Sequence, residues 1–311
     1  MIADQLRTAR RAAVRHAAAA SRAGFDAHEQ ALTEIVLTRA APAARVWTFS
    51  QREEARTGAD WLWWWSSGNE WFGVLVQAKR NKPGHGLPWY DFGYRTGAGD
   101  RQIDLLLAHA RRLGVPAAYV LYNHPRIEPG VTLGNPCCIA PYESWRTRLG
   151  VAVVPGLLAQ PLVGGTEDVA AQHARPLECL ACVGRRPRLL RPVASSIDDP
   201  DLRSFLSGGS TALPRVVALG LLAQLSQMRM GQLRAAPSTV VEIDAPRQVF
   251  RQVPTDRGHF AEPYFEHVLR GLLSQPPWYL AALLEGGAWE SVAEELEGVE
   301  GVVLFEEAED T

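Results

Sequence analysis

The sequence predicts a mixed α/β fold built on one sheet. Apolar residues recur at helical spacing in 25–40 and 101–114, whereas 59–65, 71–79 and 117–123 are rich in aromatic and β-branched residues. The chain is 47% hydrophobic and 21% charged, as is usual for globular proteins with a sizeable core. We therefore expect a core in which antiparallel strands come first and a crossover helix leads to a further strand.

The first core element is a helix over 25–40, for which Asp26 is the expected N-cap and Glu29 completes a capping box. An alternating segment at 44–50 predicts a strand. The strands at 59–65 and 71–79 flank the turn sequence SSGNE and predict a hairpin. Aromatic residues on both faces of WLWWW indicate that the first hairpin strand is covered on both sides.

A loop rich in glycine and proline follows the hairpin. The helix predicted at 101–114 ends at Gly114, and the apolar segment 117–123 predicts a central strand. One more strand is expected at 151–155.

The pattern beyond residue 160 is weaker. We expect a loop over 186–201, a helix over 213–233, and strands at 278–285 and 301–307 that flank a helix over 288–298. We expect a first domain over 1–160 and an accessory α/β region over 161–311, either separate or continuous with the first.

Charge divides the chain in the same way. Residues 1–150 hold 19 basic and 13 acidic residues, and residues 151–311 hold 13 basic and 21 acidic residues. The net charge of −2 gives no indication of nucleic-acid binding by itself, but the basic first half is compatible with it.

Targeting and redox signals are weak. No run of about 18 apolar residues predicts a membrane span, and the alanine-rich segment 1–24 is interrupted by charge and predicts a surface helix. Four cysteines do not make a disulfide scaffold, so we expect a cytoplasmic protein. His173, Cys179 and Cys182 leave a zinc site open as a weak alternative.

The two lysines of the chain, Lys79 and Lys82, stand three residues apart among 32 basic residues. Because side chains alternate along a strand, Gln77 and Lys79 share one face, and Val74, Val76 and Ala78 share the core face. A buried ammonium needs polar partners.

Two acids are candidate partners. If residue 66 pairs with residue 71, Asp60 lies opposite Gln77. If residue 65 pairs with residue 71 instead, Asp60 lies opposite Val76, and the sequence leaves both registers open. Glu29 lies at the edge of the apolar helix face, whereas Glu34 points to solvent. Glu53 and Glu54 are alternatives to Glu29.

Acidic oxygens, an amide oxygen and a lysine at one place suit a hard divalent cation. Mg²⁺ prefers oxygen ligands and often binds one or two carboxylates together with a substrate phosphate. A lysine is a compact point charge that stabilises a phosphoryl group and orients water, which the planar guanidinium of arginine does less well.

The motifs E-x-x-L-T at 29–33, G-A-D-W at 58–61 and V-Q-A-K-R at 76–80 resemble those of the PD-(D/E)XK nuclease superfamily, the restriction-endonuclease-like fold. They are similar to an uncharacterised bacterial family within it that has GADW-type and VQAK-type strands. The resemblance covers about residues 25–125. It implies a restriction-endonuclease-like core of a helix, three strands, a helix and a strand, to which the predicted C-terminal α/β region would be an extension.

The resemblance also implies roles. Lys79 is then catalytic, together with Asp60, Glu29 and Gln77, which replaces the usual second acid. Asp60, Glu29, Gln77 and the Ala78 carbonyl would bind Mg²⁺ or Mn²⁺. Gln102, which opens the next helix, matches a glutamine of the family that lines the site.

The function expected from the resemblance is a metal-dependent endonuclease that hydrolyses phosphodiester bonds, with DNA as the preferred substrate and defence against foreign DNA as the setting. The alternative is a catalytically inactive nuclease-like domain that binds nucleic acid or a protein partner. The expected partner is nucleic acid, and no association with a membrane is expected. A homodimer is a further expectation.

Overall fold

The structure is a computed structural model that describes residues 2–49, 60–81, 90–123, 145–163, 173–182, 190–228, 240–243, 247–256, 258 and 262–307. The α-helices are α1 (Ile2–Arg22), α2 (Glu29–Ala40), α3 (Gln102–Arg112), α4 (Trp145–Leu149), α5 (Gly156–Ala159), α6 (Arg191–Ala194), α7 (Pro200–Leu206), α8 (Leu213–Met228), α9 (Tyr264–Leu269) and α10 (Trp278–Leu284). Short 3-10 helices lie at Ala41–Ala43, Gln160–Leu162, Leu177–Ala181 and Trp289–Ser291.

The strands are β1 (Ala44–Thr48), β2 (Trp61–Ser67), β3 (Glu70–Arg80), β4 (Ala117–Tyr122), β5 (Val151–Pro155), β6 (Arg175–Pro176), β7 (Val240–Glu242), β8 (Gln252–Pro254), β9 (Leu272–Leu273) and β10 (Gly301–Glu306). Eight of them form one sheet in the order β1-β10-β2-β3-β4-β5-β6, with β9 paired to β3. Strands β7 and β8 form a separate pair.

The sheet mixes parallel and antiparallel pairs, which confirms the predicted mixed α/β class. β2 and β3 form the predicted antiparallel hairpin, and β3 runs parallel to β4 after the crossover helix α3. The last strand, β10, lies between β1 and β2, parallel to β2. Strands from both sides of residue 160 therefore belong to the same sheet.

Helices cover both faces of the central strands. On one face Val74 and Val76 lie near Trp63, Trp65 and Leu221 of α8. On the other face α3 and α5 pack against β3 and β4. All five residues of WLWWW are buried, as their two-sided aromatic pattern predicted.

The first helix is tied to distant parts of the chain. α1 packs on α2 and on the 3-10 helix at 177–181. Arg10 and Glu178 are both fully buried, and the guanidinium donates to both carboxylate oxygens at 2.8 and 2.9 Å. Arg10 also donates to the Thr147 carbonyl at 2.6 Å. This bidentate, charge-assisted contact fixes the helix against the body of the protein.

The predicted N-cap of α2 is wrong. The helix begins at Glu29 after His28, which has extended backbone angles and makes no capping side-chain bond. Asp26 instead lies 3.3 Å from the Arg80 guanidinium. The carboxylate of Glu29 accepts from the Arg80 backbone N–H, so the two acids bind the end of β3 rather than closing a capping box.

Two predictions near the C-terminus are also wrong. Residues Trp278–Leu284 form a helix rather than a strand, because alanine and leucine favour helix and Tyr279, Leu280 and Leu283 make one buried stripe. The segment 288–298 forms a 3-10 turn at Trp289–Ser291 and further turns rather than a helix. A segment this short, set between Gly286 and Gly298, has little helical stability of its own.

The loop predicted over 186–201 contains two helices within its described part. Pro192 occupies the first turn of α6, and Pro200 opens α7. The Asp199 carboxylate caps α7 by accepting from the N–H groups of Asp201 and Leu202. Proline and aspartate here mark helix starts, where they are as common as in turns.

The other predicted elements are present within a few residues of the expected bounds. α1 lies in the segment expected to be helical, and the strands at 151–155 and 301–306 are present. The predicted end of α8 at 229–233 lies outside the described residues. None of the described helices combines the length and the apolar character needed to cross a lipid bilayer.

Candidate functional site

The register of the β2–β3 hairpin brings Asp60 and Gln77 together. Ser66 pairs with Trp71 and Trp61 with Val76, so Asp60, just before β2, lies opposite Gln77. This is one of the two registers that the sequence left open. A two-residue turn sets it, in which Gly68 has a φ of 55° that other residues rarely adopt.

The Asp60 carboxylate is held by neutral donors. The Gln77 amide nitrogen donates to Oδ1 at 2.8 Å and to Oδ2 at 3.0 Å, and the Ala78 backbone N–H donates to Oδ2 at 2.5 Å. Asp60 is 9% exposed and Gln77 is 3% exposed. A carboxylate that is this buried requires such donors to keep its charge.

A chain of hydrogen bonds joins Asp60 to Lys79. Gln77 Oε1 accepts from Gln102 Nε2 at 3.1 Å, and Gln102 Oε1 accepts from Lys79 Nζ. The ammonium also lies 5.6 Å from the centre of the Tyr94 ring, within the range of a cation–π contact. Lys79 is thus oriented by an amide oxygen and an aromatic face.

Glu29 reaches the same strand end from the first turn of α2. Its Oε2 accepts from the Arg80 N–H at 2.6 Å, and the Arg80 guanidinium donates to the Ala27 carbonyl at 3.2 Å. The Thr33 hydroxyl donates to the Glu29 carbonyl at 3.1 Å and lies 2.9 Å from the Tyr122 hydroxyl. Since the threonine proton is already used, Tyr122 is the donor in the second contact, which fixes α2 on β4.

The carboxylates affect the tyrosine behind them. Burial raises the pKa of the Tyr122 phenol, the hydrogen bond with Thr33 opposes this, and the negative charges of Glu29 and Asp60 raise the pKa further. Tyr122 therefore keeps its proton and remains a hydrogen-bond donor.

Glu29, Asp60 and Ala78 line one cavity of about 450 Å³ between α2, the end of β1 and the start of β2. The structure thus gathers the predicted site residues at one end of the central strands: Glu29, Asp60 and Ala78 at the cavity, and Gln77, Lys79 and Gln102 in the adjacent hydrogen-bond chain. Glu34 is exposed at the cavity mouth.

Part of this donor set fits a hard divalent cation. Two carboxylates and the Ala78 carbonyl supply the oxygen ligands that Mg²⁺ prefers. Gln77 is oriented differently, because it turns its nitrogen rather than its oxygen toward Asp60. In the described parts of the chain, no group of three or more His, Cys, Asp or Glu side chains is placed to hold a metal.

The zinc site and the remaining candidate residues find less support in the structure. Cys179 and Cys182 are half-buried thiols, and the described residues offer no zinc cluster around them and His173. Lys82, Glu53, Glu54, Gly58 and Ala59 lie outside the described residues.

Four residues near the site were not predicted from the sequence. Tyr94 contacts Lys79 from a loop whose sequence has no helical or strand periodicity. Glu300 lies just before β10, and the Glu300 backbone N–H donates to the Asp60 carbonyl at 2.7 Å. Tyr122 ends a strand that was predicted only as apolar. Asn81 follows Arg80 and is buried, with no hydrogen-bond partner for its amide atoms in the described structure, although its polarity after VQAKR was a visible signal.

Comparisons with known proteins give a family without an activity. Neither a curated protein nor a solved structure matches the chain. A family model described as a family of unknown function (DUF6615) matches residues 2–310. The match covers nearly the whole sequence, and the chain belongs to this family.

Proposed function

We propose that this protein is a metal-dependent nuclease that hydrolyses phosphodiester bonds in DNA. The observation that carries the proposal is the hydrogen-bond chain from Asp60 through Gln77 and Gln102 to Lys79. It couples an acid beside a cavity to one of the two lysines of the chain. The resemblance of the surrounding motifs to PD-(D/E)XK nucleases supports the same reading.

Glu29, Asp60 and the Ala78 carbonyl would hold Mg²⁺ or Mn²⁺, since all three line one cavity. When bound, the metal supplies charge stabilisation to the phosphoryl oxygens and lowers the pKa of a bound water. The backbone N–H groups of Ala78 and Arg80 orient the two carboxylates, so the negative charge is preorganised before any cation enters.

Lys79 stabilises negative charge that develops on the phosphoryl group, as a compact point charge. Gln102 is its positioning residue, because the amide oxygen fixes the ammonium. Gln77 connects this ammonium to the Asp60 carboxylate through both ends of its own amide.

The second candidate is a nuclease-like domain without catalytic activity that binds nucleic acid or a protein partner. One observation favours it: the Gln77 amide is neutral and donates to both oxygens of Asp60. The site then has one negative charge fewer than a paired-acid site and a carboxylate already engaged by a donor, which both lower the affinity for a cation.

A cleavage assay separates the two candidates. Linear and circular double-stranded DNA, single-stranded DNA and single-stranded RNA are incubated with Mg²⁺, Mn²⁺ or EDTA, and with the wild type or Lys79→Met. Cutting of DNA that requires metal and is lost in Lys79→Met supports the nuclease. Binding of DNA without cutting by either protein supports the inactive module, and cutting of RNA alone corrects the substrate class.

The proposal extends to the biological setting by resemblance. The activity would serve defence against foreign DNA in the cytoplasm, with a homodimer cutting both strands. Light scattering of the purified protein with and without a DNA duplex tests the dimer, and a monomer under both conditions would remove that part of the proposal.

A further inference from the structure

The cavity beside Asp60 is large enough for more than a metal ion. Its volume of about 450 Å³ lies within the range of about 300–1,000 Å³ found for small-molecule sites. Its lining combines apolar side chains (Leu37, Val46, Phe49 and Trp61) with threonines and carboxylates. Such a mixture suits a flat, neutral molecule with polar edges.

An indole ring forms part of the cavity wall. Trp61 packs against Gly301 of β10, where a Cβ atom would lie 2.4 Å from Trp61 Cζ3 and 2.5 Å from the Trp47 carbonyl oxygen. Glycine at 301 therefore allows the ring to lie across the sheet. Trp61 is 8% exposed, so packing holds its ring in place at the cavity.

A second aromatic residue of the lining, Phe49, is also held in place. Phe49, at the end of β1, stacks on Trp289 with ring centres 3.7 Å apart and an angle of 19° between the rings. Its backbone N–H donates to the Glu300 carbonyl at 2.7 Å. Two held aromatic side chains on one cavity make a stacking site for a planar heterocycle.

Charge selects which part of a nucleotide can enter. Glu29, Glu34, Asp60 and Glu300 line the cavity, and no lysine or arginine is found among the described residues that do. Glu29 and Asp60 would hold the metal that receives the phosphate, whereas the carboxylates of Glu34 and Glu300 repel phosphate and suit the exocyclic amino groups of adenine, cytosine and guanine as donors. A base can therefore lie against the apolar part of the cavity while its phosphate lies toward Glu29 and Asp60.

We propose that this cavity binds one unstacked nucleobase of the substrate, with a preference for bases that carry an amino group. The inference rests on the proposed nuclease function and specifies its substrate as a nucleotide that is single-stranded or flipped out of a duplex. Removing a base from a duplex costs free energy that an unpaired base does not require, so unpaired substrates are favoured over paired ones.

Binding of free nucleosides tests the cavity without any cleavage. Cytidine, adenosine and thymidine are titrated in EDTA and followed by ligand-observed NMR, with spermidine as the cationic competitor. Thr38→Trp fills the mouth from an exposed position on α2, and Arg39→Trp is its control at the next position, outside the lining. We expect cytidine and adenosine to bind to the wild type more tightly than thymidine does. Their affinity for Thr38→Trp should be at least tenfold lower than for the wild type, and their affinity for Arg39→Trp should be unchanged.

A base scan ties the cavity to catalysis. Single-stranded oligonucleotides with one abasic residue at successive positions are cut with Mg²⁺, and we expect the rate to fall at least tenfold when the gap reaches the cavity. Nucleoside binding without DNA cutting would leave the cavity standing and remove the nuclease function. Cutting without nucleoside binding, equal binding by Thr38→Trp, or binding of spermidine alone would overturn the nucleobase site.

Discussion

Gln77 turns its amide nitrogen toward Asp60, with Nε2 at 2.8 Å from Oδ1 and 3.0 Å from Oδ2. Its oxygen faces Gln102, which in turn accepts from Lys79. The direction of every bond in this chain is fixed, because an ammonium only donates and an ionised carboxylate only accepts. The chain in this direction gives the Lys79 ammonium an acceptor and turns an amide donor, rather than an amide oxygen, toward Asp60.

The first prediction is that Mg²⁺ binds beside Asp60 without reversing the two amides. For Gln77 Oε1 to face a cation at Asp60, its nitrogen would have to face Gln102, which would then turn its own oxygen toward Gln77. Two donors would meet at Lys79, and the contact that positions the ammonium would be lost. We expect saturable shifts of the Gln77 side-chain amide signals and only small shifts of the Gln102 signals in ¹H–¹⁵N NMR during a Mg²⁺ titration.

The NMR titration has two controls. Asp60→Asn should abolish the Gln77 shifts, and Gln160, whose amide lies outside the hydrogen-bond chain, should report only non-specific effects. Gln102 signals that shift as strongly as those of Gln77 at saturation would indicate that the amides reverse and would contradict the role of Gln102 in positioning Lys79.

The second prediction concerns the choice of lysine. Lys79→Arg retains the positive charge but not the compact ammonium that fits the Gln102 oxygen and the Tyr94 ring. We expect a loss of kcat of about 10²-fold or more, the size found when one electrostatic donor to a transition state is removed. Lys82→Arg is the control, and equal losses in both variants would argue against a special role for Lys79.

The third prediction separates positioning from metal binding. Gln102→Leu removes both of its hydrogen bonds, whereas Gln102→Glu retains an acceptor for Lys79. We expect kcat to fall more for leucine than for glutamate, while calorimetry gives Mg²⁺ affinities within a few-fold of the wild type. A loss of metal affinity in step with kcat would make Gln102 part of the metal site instead.

The fourth prediction concerns stability. Arg10 and Glu178 form a fully buried pair between α1 and the 3-10 helix at 177–181. Glu178→Ala leaves a buried charge without its partner and should lower the free energy of unfolding by about 3–5 kcal/mol. Urea denaturation measures it, and the double variant Arg10→Met/Glu178→Leu should recover much of the loss. A cost below about 1 kcal/mol for the single variant would contradict a structural role.

The fifth prediction is a loss of stability in acid. Burial, followed by the charge of Arg112, lowers the pKa of His109 to about 4. Burial also lowers the pKa of His267 to about 4; Glu262 opposes this and Arg270 adds to it. The unfolded chain binds these protons near pH 6.5 and the folded chain near pH 4, so stability is present above 6.5 and is lost as the pH falls toward 4.

Urea denaturation at pH 7 and pH 4.5 measures this loss, with His267→Asn compared with His16→Gln at an exposed position. We expect the pH dependence to shrink in His267→Asn and to persist in His16→Gln. A wild type equally stable at both pH values would show that these histidines bind protons equally in both states.

Local pattern predicted much of the core, but not its assembly. The hairpin and helix α3 follow from β-prone runs, the SSGNE turn and helical spacing in 101–114. The pairing register at Asp60 remained open because it depends on the length and geometry of the hairpin turn, and a shift of one residue moves Asp60 away from Gln77. The position of β10 between β1 and β2 depends on contacts across more than 200 residues, which periodicity does not contain.

The candidate site was predictable to a similar extent. Gln77 and Lys79 follow from strand alternation and Glu29 from its place on a helix face, whereas Asp60 belongs to the site in only one of the two hairpin registers. The Gln77 amide direction follows only from the complete bonding of the folded site. Tyr94 and Glu300 come from segments whose positions near Lys79 and Asp60 arise from tertiary structure.

The most direct test of the central claim is the initial rate at which circular double-stranded and single-stranded DNA are cut in Mg²⁺ by the wild type and by Asp60→Asn, purified in parallel. We predict cutting that EDTA abolishes and that Asp60→Asn reduces at least 10²-fold, since the substitution removes the charge that the metal requires. Equal rates for the two proteins, or no cutting of either DNA by the wild type, would contradict a metal-dependent nuclease site at Asp60.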